Sequence, residues 1–126
     1  MNHHQRTILL VEDDPGVQDM LTLVLVREGF AVARVGNGQE ALAYLRGQPA
    51  PDVIVLDLSM PVMDGWSFRV EQRKDPRLAA IPTIVASGES NLREYAQLMG
   101  AAGYLTKPLH IETLLETVNA AAGISV

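Results

Sequence analysis

The stretch Pro51-Asp52-Val53-Ile54-Val55-Leu56-Asp57-Leu58-Ser59-Met60-Pro61 decides the reading of the whole chain. Val53 to Leu56 is an unbroken apolar run with three β-branched residues, so a strand formed here has no face suited to water. A strand covered on both sides belongs to a parallel sheet between two layers of helices. This one ends on a carboxylate, Asp57, and a loop from Leu58 to Asp64 follows.

The pattern repeats on the N-terminal side. Thr7-Ile8-Leu9-Leu10-Val11 is also apolar on both faces and stops at Glu12-Asp13-Asp14-Pro15. Asp14 suits the cap of the next helix and Pro15 its first position. Val17, Met20, Leu21, Val24 and Glu28 then fall on one helical face, ended by Gly29. Ala31 to Val35 reads as a weaker strand, Gly36-Asn37-Gly38 as a turn, and Glu40 to Arg46 as a helix closed by Gly47.

On the C-terminal side a helix is expected from about Gly65 to Lys74, and then a longish connection to Ile81. Pro82 opens a fourth strand, Thr83 to Ala86, ending at Ser87-Gly88; Asn91 to Met99 is a fourth helix. Gly103 to Thr106 is a fifth strand ending at Lys107-Pro108. Ile111, Leu114, Leu115 and Val118 mark the inner face of a fifth helix. Five such alternations predict an α/β fold, a parallel sheet with five helices distributed over both faces. Residues 1–126 are expected to form one domain with its core at about 6–122, residues 1–5 being read as a flexible lead-in. His3 and His4 fall in that lead-in and are not read as a metal site.

Composition agrees. The 126 residues are 48% hydrophobic and 20% charged, a globular balance. A net charge of −5 with scattered basic residues excludes a general attraction to nucleic acid or anionic membrane. Without cysteine there is no disulfide, thiolate metal site or thiol chemistry. No stretch is long and apolar enough to span a bilayer, and Met1 to Thr7 lacks a signal-peptide core, so a cytoplasmic protein is expected.

In a sheet of this kind ligands bind beyond the carboxyl ends of the strands. Four strand ends deliver Glu12 and Asp13, Asp57, Ser87 and Lys107 to that edge. Three carboxylates brought together repel unless a cation sits among them, and oxygen-only ligands favour a hard ion such as Mg²⁺. Asp13 and Asp57 are the expected direct ligands, with Glu12 acting through water and the Ser59 backbone carbonyl completing the set. A metal, an ammonium and a hydroxyl around one carboxylate suit phosphoryl transfer, with Asp57 the nucleophile.

These residues resemble the receiver domains of two-component response regulators. The matching segments are Ile8 to Pro15, Leu56 to Gly65, Ile84 to Ser87 and Gly103 to Pro108, and the likeness runs over about residues 6–122. It implies a flavodoxin-like doubly wound sheet of order 2-1-3-4-5. Asp57 would be the phosphoacceptor, Glu12 and Asp13 would bind Mg²⁺ (Mn²⁺ being an accepted substitute), and Ser87 and Lys107 would contact the phosphoryl group. A cis Lys107–Pro108 peptide and a switch coupling Ser87 to Tyr104 are also implied. The phosphodonor would be a sensor histidine kinase or a histidine phosphotransfer protein.

With no output segment after Val126, the effect is expected to pass through another protein. The face built from the fourth helix, fifth strand and fifth helix would change, and a monomer or a weak dimer through that face is anticipated. Ser87 stands where threonine is more usual, which loosens the expected coupling to Tyr104. Ser59 and Glu89 lie where they would tune the phosphoryl lifetime.

Three other readings compete with this one. An Asp-nucleophile phosphatase of the haloacid-dehalogenase type needs a second Asp two residues after the first, where this chain has Ser59. A flavin-phosphate carrier needs a hydroxyl- and glycine-rich first loop, where this chain has Glu12, Asp13 and Asp14. A degenerate receiver acting only through protein contacts has no support while every site residue is present. Taken alone, Tyr104 reads as packing, and Trp66 as packing ahead of a partner contact.

Overall fold

The apolar runs pair as the sequence demands. In a computed structural model that describes residues 5–124, five strands form one parallel sheet. They are β1 (Thr7–Val11), β2 (Ala31–Val35), β3 (Val53–Asp57), β4 (Thr83–Ser87) and β5 (Gly103–Thr106), in the order β2-β1-β3-β4-β5. The register sets Val11 beside Leu56, Asp57 beside Ala86 and Ser87 beside Thr106, so the strands that carry polar residues end level with one another. His3 and His4 lie outside the described residues.

The helices are α1 (Pro15–Arg27), α2 (Gly38–Gly47), α3 (Gly65–Lys74), α4 (Pro76–Ala79), α5 (Leu92–Leu98) and α6 (Ile111–Ala121). The fourth and fifth helices of the sequence reading are therefore α5 and α6. The additional element, α4, is a single turn within the long connection from α3 to β4. Asp75 accepts a hydrogen bond from the Arg77 amide there and Pro76 occupies the first turn, which is a complete start signal on a very short helix.

Alternation along each strand divides the core in two. Leu9, Val11, Ile54, Leu56 and Val85 meet α2, α3, α4 and α5 on one face; Ile8, Leu10, Val53, Val55 and Ile84 meet α1 and α6 on the other. The outer strand β2 is only half-buried, which is why its pattern is the weaker one.

Two helices sit differently from their expected faces. In α1 the buried residues are Leu21 and Leu25, an i, i+4 pair, and Met20 is turned outward at 45% exposure. In α6 Leu114 and Val118 are buried while Ile111, at the first helical position, is exposed.

On α3 the sheet-facing positions include two polar residues, Arg69 and Gln72, beside Phe68. Arg69 donates to the Met99 and Gly100 carbonyls (3.0 and 2.9 Å) and to the Gln72 side-chain oxygen (2.9 Å). Gln72 in turn donates to the Leu78 carbonyl and the Thr83 hydroxyl. The guanidinium thereby satisfies carbonyls at the end of α5, where a cation is favoured. Burial, and then repulsion from Arg73, lower its pKa from the usual arginine value.

Candidate functional site

The carboxyl edge of the sheet holds the polar residues that the strand ends deliver. Glu12 directly follows β1, and its amide donates to the Val35 carbonyl (3.1 Å), so its backbone is fixed between β1 and β2. Asp13 is exposed at the rim, whereas Glu12 and Asp57 are almost completely buried, at 4% and 3% exposure. Oxygens of Glu12, Asp13 and Asp57 all lie within 4.8 Å of one another.

Among the described residues one cation answers this cluster. Lys107 Nζ is 3.2 Å from Asp57 Oδ2 and 3.6 Å from Glu12 Oε1. It is placed by backbone: the Lys107 amide donates to the Ser87 carbonyl (2.9 Å), extending the β4–β5 ladder, and the Lys107–Pro108 peptide is cis. A single ammonium against three carboxylates leaves the cluster under-compensated. Burial raises the Glu12 pKa, and repulsion from Asp57 adds to the rise, against the Asp14 amide (3.1 Å) and Lys107, which favour the ionised form.

The loop after β3 is held tightly over Asp57. The Ser59 amide donates to Asp57 Oδ1 (3.1 Å), the Leu58 amide to the Ala86 carbonyl (3.0 Å), and the Gly65 amide to the Leu58 carbonyl (3.2 Å). A side chain at Gly65 would put its Cβ 2.7 Å from the Asp57 carbonyl oxygen and from Leu58 Cα. Between them Val62 adopts a positive φ of 66°, costly for a β-branched residue, and the Met63 amide turns back to the Pro61 carbonyl (2.7 Å).

Ser87 is buried at the end of β4, and its Oγ accepts from the Glu89 amide (3.1 Å). Glu89 itself is exposed. Tyr104 is not part of this cluster. It lies on β5 at 42% exposure, in a shallow hollow against Thr113, Glu116 and Thr117 of α6. Trp66 packs at the edge of the α3 core, its ring edge-on to Tyr95 at a centroid distance of 5.0 Å and an interplanar angle of 77°.

Met20, expected inward from its spacing, stands instead on the rim of the site. Val17 and Met20 of α1, with Pro108 and Leu109, line a 300 Å³ depression that ends at Lys107. The outward signal was present: Met20 and Leu23 lie i, i+3 on the face opposite Leu21 and Leu25.

The donor set tests whether a cation suits the site. Three carboxylates and no nitrogen or sulfur ligand, two of them buried and short of compensating charge, fit a hard, small divalent ion such as Mg²⁺. Asp13 and Asp57 stand where direct ligation is possible, with Glu12 beside them. Ser59 is adjacent in the Asp57 loop.

Fold and site together define a signalling receiver, a doubly wound sheet with an acidic cluster and a lysine at its carboxyl edge. The chain belongs to the response regulator receiver domain family, whose model matches residues 8–119. It is 36% identical over 115 residues to protein PilH of Pseudomonas aeruginosa, covering 90% of this chain and 94% of that protein. It spans about half the length of DNA-binding regulators that it also matches, 47% in one and 52% in another.

Among solved structures it is similar to the chemotaxis response regulator CheY4 of Vibrio cholerae, with a TM-score of 0.86, 30% identity, and 94% of this chain and 99% of that one covered. The receiver domain of the sensor histidine kinase PA1611 of Pseudomonas aeruginosa PAO1 gives a TM-score of 0.86 at 30% identity, covering 95% of this chain and 99% of that one. That structure holds a magnesium ion coordinated in its active-site cleft. The chain is thus a receiver of two-component signalling, a class that works with histidine kinases and downstream targets. Among the described residues no helix is long and apolar enough to cross a membrane.

Proposed function

We propose that this receiver is a phosphorylation switch that accepts a phosphoryl group on Asp57 from a phosphohistidine donor in a Mg²⁺-dependent reaction. The observation that carries the reading is the buried Asp57 carboxylate, hydrogen-bonded by the Ser59 amide on Oδ1 and faced by Lys107 at Oδ2, beside two further carboxylates.

An Asp57 oxygen attacks phosphorus, the phosphorus–nitrogen bond of the donor breaks, and the imidazole leaves with the electron pair. Asp57 needs no general base, because a carboxylate is already deprotonated. Lys107 neutralises charge on the transferred group and the Ser87 hydroxyl donates a hydrogen bond to it. Asp13, Asp57 and the Ser59 carbonyl, with Glu12 through water, would hold Mg²⁺, which would supply electrostatic stabilisation of the phosphoryl oxygens. Water later hydrolyses the acyl phosphate, so the protein turns over only its own modification and is no enzyme for external substrates.

Engagement of Ser87 by the phosphoryl group draws its hydroxyl away from the Glu89 amide. That alters the α5–β5–α6 face, with Tyr104 turning inward as the second half of the switch. The altered face would be the one that a downstream target reads, and a cytoplasmic setting suits such a receiver. Intact-protein mass after incubation with acetyl phosphate tests the reading. One added phosphoryl group that requires Mg²⁺ and is absent from Asp57→Asn is expected; no adduct in the parent protein refutes it and leaves a protein-contact module.

A further inference from the structure

The side of α3 that faces α5 carries Trp66, Arg69, Val70 and Arg73, residues at i, i+3, i+4 and i+7 on one helical stripe. Together with Leu98 of α5 and Met99, which caps that helix, they line a cleft of 170 Å³, away from the Asp57 site. Leu98 is 75% exposed and Val70 58%, so two of the most exposed large apolar side chains stand at its mouth.

The floor of the cleft is fixed. Arg69 is locked by carbonyls of Met99 and Gly100 and by Gln72, and Trp66 is braced edge-on by Tyr95. A rigid, aromatic- and arginine-lined cleft with an apolar rim has the composition of an interface anchor point, with little ordering cost left on binding.

Its charge identifies the occupant. Among the described residues neither Arg69 nor Arg73 pairs with a carboxylate. Their partners are carbonyl, side-chain amide and hydroxyl oxygens, which satisfy N–H groups without cancelling charge. In a chain of net charge −5 this is a local inversion of sign. With Arg69 buried, only Arg73 offers an exposed guanidinium, too few cations to follow a phosphate backbone.

We propose that the α3–α5 cleft docks an acidic amphipathic segment of a partner protein, one apolar side chain entering between Trp66, Val70 and Leu98 and a carboxylate meeting Arg73. The inference does not depend on phosphorylation of Asp57.

The test uses the full chain, labelled for NMR, titrated with a blocked helix-forming peptide that carries leucines on one face and glutamates beside them. Saturable shifts are expected at the Trp66 indole and the Val70 and Leu98 methyl groups, and they persist in Asp57→Asn. Arg73→Glu, at an exposed position, weakens binding by roughly five- to tenfold as attraction becomes repulsion, and a peptide with lysine for glutamate recovers it. Shifts confined to another face, insensitivity to Arg73→Glu, or no binding of the acidic peptide would overturn the proposal. So would equal shifts with a mixed-sequence oligonucleotide or phosphatidylserine vesicles.

Discussion

Lys107 Nζ reaches Asp57 Oδ2 at 3.2 Å while remaining only 3.6 Å from Glu12 Oε1, so one ammonium serves two buried carboxylates. Breaking such a pair leaves charge buried and uncompensated, a larger effect than the pair's own net contribution. With Lys107 about one-third exposed, solvent relieves part of it.

Lys107→Met therefore destabilises the metal-free protein by about 1–2 kcal/mol, after discounting for that solvent access. Urea unfolding measures the loss, and saturating Mg²⁺ is expected to recover part of it by occupying the same carboxylate cluster. A variant as stable as the parent without metal would show that the ammonium does not compensate Asp57 and Glu12.

Glu12 gives the opposite sign. Its pKa is raised above the ordinary glutamate value of 4.5, first by burial and then by Asp57, so ionisation costs the folded state more than the unfolded one. The stability contributed by this group is complete below 4.5 and is lost as pH rises through the higher folded value. Metal-free Glu12→Gln should exceed the parent in stability near neutral pH, with the gap closing as the pH falls toward 4.5, while its Mg²⁺ affinity drops. Paired thermal-melt series over pH, with Mg²⁺ titrations followed by Trp66 fluorescence, check both halves.

Gly65→Ala tests the loop that covers Asp57. The new methyl meets backbone, the Asp57 carbonyl oxygen and Leu58 Cα, at 2.7 Å, so no side-chain rotation relieves it. Destabilisation of about 1–3 kcal/mol is expected, as for other forced insertions into packed sites. Slower modification by acetyl phosphate should accompany it, because the Ser59 amide that orients Asp57 moves with the loop. Unchanged melting and unchanged modification would mean the loop is softer than its contacts indicate.

Met20→Asp separates donor docking from chemistry. The depression formed by Val17, Met20, Pro108 and Leu109 opens beside Lys107, on the side from which, under the proposed function, a phosphohistidine donor would approach Asp57. Met20 is 45% exposed, so the variant folds normally. Transfer from a histidine phosphotransfer protein is expected to slow by about tenfold, the cost of one lost apolar contact in an interface, and modification by acetyl phosphate stays at the parent rate. Equal slowing with both donors would place the effect in the chemistry and not in docking.

Much of the architecture was legible because a doubly wound parallel sheet writes itself as continuous apolar runs. Val53–Leu56 and Ile8–Val11 left no alternative, and the polar residues that end such runs must converge at one edge. The short α4 was less visible: Asp75-Pro76 is its only sequence signal, and four residues show no periodicity. Arg69 and Gln72 were illegible for another reason. Polar residues on a helix read as a solvated face, and their burial is intelligible only once the Met99, Gly100 and Thr83 partners, distant in sequence, are known. Met20 misled because an apolar stripe on α1 is wide enough to fit two rotations of the helix, and only packing against the sheet selects one.

The Arg69 cluster also sets how α5 is mounted. Its C-terminal end is riveted to α3 through the Met99 and Gly100 carbonyls, whereas Asn91, at its opposite end, makes no side-chain cap. The free end is the one that follows Ser87 and Glu89. A seven-residue helix about 10 Å long, pinned at its heel by polar contacts and at its other end only by the buried Leu92, is built so that a small displacement where the chain leaves β4 would be taken up as a tilt about Met99 and not as a sliding of the whole helix.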